Sequence, residues 1–177
     1  MYFVDNENHL DPSVNIALET YLLREKVLDE PTLLFYINEP SIIIGRNQNT
    51  IEEVNQDYVD EHGIHVVRRM SGGGAVYHDL GNFSFCFITD DDGNSFRDFK
   101  SFTEPVIDFL HSVGVKDAAL KGRNDLVIGE KKFSGNAMYS TGGRMTAHGT
   151  ILLDSDLDAV TGALKPRKDK IESKGIK

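Results

Sequence analysis

Cysteine is almost absent: Cys86 stands alone among 177 residues. No internal disulfide can form, so a reducing compartment is expected. No apolar run reaches the roughly 18 residues that a membrane span needs, and no membrane role is expected. Met1 to Asn8 carry acids and no basic residue ahead of an apolar stretch. That pattern is not a secretory signal, which makes the cytoplasm the expected location. Basic charge is also short, 19 Lys and Arg against 28 Asp and Glu, for a net charge of −9. Bulk charge of this sign argues against nonspecific nucleic-acid binding. The exception is the segment 165–177. Lys165, Arg167, Lys168, Lys170, Lys174 and Lys177 face only Asp169 and Glu172 there, so 6 − 2 gives +4 and the remainder carries −13. Internal repeats and low-complexity tracts are missing too.

What is present suits one soluble domain. Hydrophobic residues make up 40% and charged residues 27%, and a chain of this length buries roughly 70% of its unfolded surface. Asp11-Pro12 opens a helix, with an acid at the cap and proline at the first helical position. Val14, Ala17, Leu18, Tyr21 and Leu22 fall on its expected buried face, and Glu30-Pro31 is expected to stop it. Thr32–Ile37 and Ser41–Ile44 read as strands, and residues 51–62 as one surface helix ended by Gly63. Further strands are expected over Ile64–Arg69, Ala75–His78, Phe83–Ile88, Ala118–Lys121, Leu126–Ile128, Lys132–Tyr139 and Met145–Leu153. Helices are expected from Phe99 to Val113 and from Leu157 to Leu164. Connections between strands are mostly hairpin-length. The fold class is therefore α+β, a mixed, mostly antiparallel sheet flanked by helices, and not a doubly wound parallel sheet.

Four segments could carry chemistry. Arg68-Arg69-Met70-Ser71-Gly72-Gly73-Gly74-Ala75 combines arginines with glycines whose amides can converge on an anion. The plain alternative is a hairpin turn beside solvated arginines. Neither a P-loop nor a dinucleotide fingerprint fits the spacing. Gly122-Arg123-Asn124-Asp125-Leu126 is either a local turn or a polar site that could hold a ribose, an adenine edge or a metal ion. In Lys132-Phe133-Ser134-Gly135-Asn136, strand alternation predicts that Lys132, Ser134 and Asn136 share one face. Gly135 would admit a ligand against the backbone. His148 and Thr150 share a face across Gly149, and His148 is either a buried structural histidine or a site residue.

Arg68 to Asn82 (Arg-Arg-x-Ser-Gly-Gly-Gly-Ala-Val-Tyr-His-Asp-Leu-Gly-Asn) resembles the signature of lipoate–protein ligases. Gly122–Leu126, Lys132–Ala137 and His148–Leu153 match that family in order and approximate spacing. Gly45-Arg46-x-Gln48-Asn49 and Lys174-Gly175-Ile176 match as well. The resemblance covers nearly the whole chain. It implies the fold shared by biotin and lipoate ligases, related to class II tRNA synthetase cores. It also implies two-step chemistry. Lipoate attacks the α-phosphate of Mg-ATP to give lipoyl-AMP. A lysine of a lipoyl-domain acceptor, an E2 subunit of a 2-oxoacid dehydrogenase or the glycine-cleavage H protein, then attacks the adenylate.

By the same resemblance, Lys132 is the catalytic lysine that holds the lipoate carboxylate. Arg69, Gly73 and the backbone of Gly74, Ala75, Val76 and Tyr77 form the nucleotide-binding segment. Asn124 and Asp125 hold nucleotide or metal, Ser134 lines the site, and His148 and Gly149 border the lipoyl or adenylate pocket. Leu18, Phe35 and Val76 are expected in its apolar wall. No metal-ligand set is assigned. Residues 1–164 are expected to form the catalytic domain, and 165–177 the start of a loop covering the adenylate. Family members continue into a small accessory domain, in some cases a separate chain, which this sequence does not contain. The main rival is an ATP-independent octanoyl or lipoyl transferase of the same fold, for which Cys86 is the one available nucleophile. A biotin ligase and a non-catalytic binding module rank below it.

Overall fold

The computed structural model describes residues 1–26 and 28–165. The expected adenylate-covering tail, Lys165 apart, lies outside the described residues. Helix α1 (Pro12–Arg24) begins where the Asp11 side chain accepts the Ser13 N–H. It ends well before the expected stop at Glu30-Pro31. Its buried stripe is Asn15, Ile16, Glu19, Leu22 and Leu23, whereas Val14 and Tyr21 are 43% and 52% exposed. Apolar spacing misplaced this face because two of its members are polar residues whose burial is offset by hydrogen bonds.

The larger sheet holds seven strands: β1 (Tyr2–Val4), β2 (Thr32–Ile37), β6 (Asn82–Asp90), β10 (Arg144–Leu152), β9 (Lys131–Thr141), β8 (Asp125–Ile128) and β7 (Ala118–Lys121), in that spatial order. Its pairings are antiparallel except β1 with β2. β1 gave no sequence signal. It is a three-residue edge strand held by its partner.

Alternation along β6 serves two cores. Cys86 and Ile88 pack with Leu22 and Leu23 of α1 and with Leu34 and Tyr36. Phe85 packs on the opposite face with Leu126, Phe133 and Ile151, under Val106, Ile107 and Leu110 of α4 (Phe99–Ser112). The smaller sheet runs β4 (His65–Arg68), β3 (Ser41–Ile44), β5 (Val76–His78). Ile42 and Ile44 pack against α3 (Gln56–His62) and α5 (Leu157–Ala163) through Val59 and Ala163. The helix expected over 51–62 is divided into α2 (Thr50–Glu53) and α3, because Val54 is extended and bridges to Leu164.

Candidate active site

Between the sheets lies a cavity of about 480 Å³ lined by both. One wall is the loop joining β4 to β5. Arg69 is buried inside that loop and donates to Ile43 O at 2.8 Å, Gly72 O at 2.7 Å, Gly74 O at 2.8 Å and Ser71 Oγ at 3.0 Å. Burial pulls its guanidinium below the ordinary value, against the raising effect of Glu19. Arg68 donates in the same manner to Gly45 O, Arg46 O and Gln48 O. Arg69 thus braces the glycine loop and Arg68 braces the segment 45–48, with these N–H groups on protein oxygens where bonds to phosphate had been expected. Gly45 presses against the loop: a Cβ there would sit 2.3 Å from Gly73 O. Among the described residues, the amides of Gly72, Gly73, Gly74 and Ala75 donate to no protein acceptor. Gly73, Gly74 and Ala75 line the cavity. Backbone amides left without a protein acceptor in a cavity wall are donors of the kind that can bind an anion.

Lys132 reaches the same cavity from β9. Its Nζ lies 2.7 Å from Asp125 Oδ1. The expected face-sharing with Ser134 and Asn136 is not observed. Between β8 and β9 the register shifts, so that Lys132 pairs with Val127 and Ser134 with Leu126. Adjacent residues of β8 face opposite ways, and Lys132 and Ser134 therefore do too. Phe133 is the extra residue of this bulge and enters the core under α4. Ser134 is fully buried and accepts a hydrogen bond from Asn136 Nδ2, which also donates to Asn124 O. Asn124 returns a bond from Nδ2 to Asn136 O. Asn124 and Asn136 border the cavity, and Ser134 does not.

The remaining site residues divide in the same way. Val76, His148 and Gly149 line the cavity, whereas Tyr77 packs on the other side of β5 against the Ile42 cluster. Leu18 lies in the core beneath α1. Phe35 is 42% exposed on the far face of β2, between Phe3 and Phe83. Ile16, Tyr36, Ile43, Ala75, Val76 and Ala137 form the observed apolar wall. A second hollow of about 490 Å³ opens between α1 and β4, but among the expected residues it gathers only Arg68.

Sequence reasoning missed a buried polar chain. Tyr36 OH donates to Glu19 Oε1 at 2.9 Å, and Glu19 Oε2 lies 2.8 Å from His148 Nδ1. His148 Nε2 lies 2.7 Å from Ser71 Oγ. Burial alone would raise the Glu19 carboxyl, but His148 and the bonds from His148, Tyr36 and Cys86 hold it below the ordinary range. Burial and the neighbouring Glu19 charge push the Tyr36 phenol and the Cys86 thiol well up. The one available signal was an acid inside the helical stripe Ile16, Glu19, Leu22 and Leu23. Donor atoms of Glu19, Cys86 and His148 lie within 4.8 Å of one another, a mixed set in which Glu19 and His148 already bond to each other.

Residues 11–177 match the family model described as the lipoyl protein ligase A/B catalytic domain. The chain is 60% identical over 177 residues to the lipoate-protein ligase LplJ of Bacillus subtilis, covering 100% of this chain and 53% of that protein. It therefore spans about half the length of such a relative. Among solved structures it resembles P. falciparum LipL1 in complex with lipoate, with a TM-score of 0.81 and 33% identity over 89% of this chain and 50% of that one. It also resembles a lipoate-protein ligase A bound with ATP, with a TM-score of 0.77 and 33% identity over 85% of this chain and 65% of that one. By the extent of the family match and these identities, the chain belongs to the lipoyl protein ligase A/B catalytic-domain family.

Proposed function

We propose that this chain activates lipoate with ATP in the cytoplasm and passes the acyl group to a lysine of a lipoyl-domain acceptor. The 2-oxoacid dehydrogenase E2 subunits and the glycine-cleavage H protein are the acceptors in view. The observation that carries this reading is one cavity holding the Lys132 ammonium together with the amide-bearing loop Gly73–Ala75. The reaction must bring a carboxylate against a phosphate. Two anions repel, and a fixed cation with fixed amide dipoles offsets that repulsion.

In the first step a lipoate carboxylate oxygen attacks the α-phosphorus. The bond from that phosphorus to the bridging oxygen breaks, and pyrophosphate leaves. Lys132 holds the carboxylate and offsets charge on the pentacoordinate transition state. Arg69 keeps the loop amides aimed through its four hydrogen bonds. Ile16, Ile43, Val76 and Ala137 supply the apolar surface for an acyl chain, and the volume suits a small ligand, for which pockets run roughly 300–1,000 Å³. Mg2+ bound with ATP would neutralise phosphate charge, and the Asp125 carboxylate is already engaged by Lys132. In the second step the acceptor amine attacks the acyl carbonyl, AMP leaves, and the amine loses its proton.

Lipoate-dependent release of pyrophosphate from ATP tests this reading, with and without an accessory domain supplied in trans. Lys132→Ala is expected to lower the rate by about 10²-fold or more. Cys86→Ser is expected to retain most of it, because Cys86 is fully buried and its thiol is held protonated. ATP-independent acyl transfer that Cys86→Ser abolishes would replace the ligase reading with the transferase.

A further inference from the structure

We propose that Asp125 is a positioning residue that latches the Lys132 ammonium over Gly135, and that the substrate carboxylate competes with it for that ammonium. This rests on the ligase reading above and concerns the same site. The bulge at Phe133 turns Lys132 onto the face that carries Asp125, and the register then places Asp125 opposite Gly135. Lys132 crosses the strand at that point. A Cβ on Gly135 would lie 3.2 Å from Lys132 Nζ and 3.4 Å from its Cε, so the missing side chain is the lysine's path. The amine ends 2.7 Å from Asp125 Oδ1, and Lys132 lines the cavity.

The two side chains are 48% and 35% exposed. A pair so open to water is weakly held. It restrains the lysine, yet an arriving carboxylate can share or take the ammonium. Two opposite effects follow from one carboxylate. Asp125 weakens binding of an anionic substrate by competing for its counter-charge. It speeds the chemical step by keeping the ammonium in line with the reacting oxygen, where small misplacements are costly.

Calorimetry and pyrophosphate-release kinetics on the whole chain separate these effects. Asp125→Asn is expected to tighten lipoate binding about threefold to fivefold and to lower kcat about tenfold. Binding of lipoamide, which has no carboxylate, should not change. Asp125→Glu should recover part of the rate. In a Lys132→Met background, Asp125→Asn should alter neither quantity, since its effect passes through the ammonium. The latch is overturned if Asp125→Asn leaves lipoate affinity unchanged or weakens it, or if its effects persist without Lys132. A wild-type chain that binds no lipoate overturns the ligase reading itself, and the latch with it. Should Asp125→Asn fail to fold, Gly135→Ala serves instead. Its methyl meets only the flexible end of Lys132, and an unaltered kcat there overturns the latch.

Discussion

His78 shows how much a single buried side chain can be asked to do. Asn6 Nδ2 donates to Asn15 Oδ1, Asn15 Nδ2 to Asn38 Oδ1, and Asn38 Nδ2 to His78 Nδ1, at 2.9, 2.9 and 3.0 Å. An imidazole nitrogen that accepts a bond carries no proton, so the relay fixes the neutral ring. Burial and then the nearby Arg69 charge lower its pKa to about 3. The unfolded chain binds a proton at His78 from about pH 6.5 downward, and the folded one does not until about pH 3. Stability from this group is therefore present above pH 6.5 and is lost as pH falls toward 3. Glu19, with its folded pKa lowered, adds a loss only below the ordinary carboxylate range. Between pH 5 and 6.5 the difference between wild type and His78→Gln isolates the histidine. Urea unfolding across that window should show a wild-type slope steeper by up to about one proton, roughly 1.4 kcal/mol per pH unit. Parallel slopes would mean that His78 is protonated in the folded chain.

At the scale of strands, two irregularities set the site. One is the bulge at Phe133. The other is Gly149 in β10, where an added Cβ would lie 2.1 Å from Asn136 Oδ1 and 2.6 Å from Phe85 Cζ. Asn136 has little room to yield, being tied to Asn124 O and Ser134 Oγ. Gly149→Ala is expected to cost about 1–3 kcal/mol and to lower the thermal midpoint by roughly 3–10 °C. An unchanged midpoint would show that the two strands separate freely.

Short β-rich runs such as Thr32–Ile37, Ser41–Ile44 and Ala118–Lys121 are legible to the residue in sequence. The break at Val54 is not, because its cause is a bridge to Leu164, distant along the chain. Nor is the orientation of Lys132, which depends on how β9 pairs with β8. Glu19 and His78 escaped notice because a buried polar residue looks like a surface one until its partners are known.

Across the whole molecule, a hydrogen-bonded chain through His148 joins the two sheets, in addition to the Asn38–His78 contact. Arg69 ties β3 to the glycine loop, Ser71 of that loop meets His148 of β10, and His148 meets Glu19 of α1, which meets Tyr36 of β2. The cavity is the space this chain borders, so its shape depends on the links acting together. Ser71→Ala leaves Arg69 Nε and one imidazole nitrogen without their partner, at about 1–3 kcal/mol. Glu19→Gln removes the buried carboxylate facing His148, at about 3 kcal/mol. If the sheets are coupled through His148, the second change finds a ring already released by the first. The double variant should then lose less than the sum of the singles, by about 0.5–3 kcal/mol in urea unfolding. Lipoate affinity should fall in each single variant and fall little further in the double. Strict additivity in both measurements would mean that each sheet holds its own wall of the cavity, and that the chain through His148 does not join them.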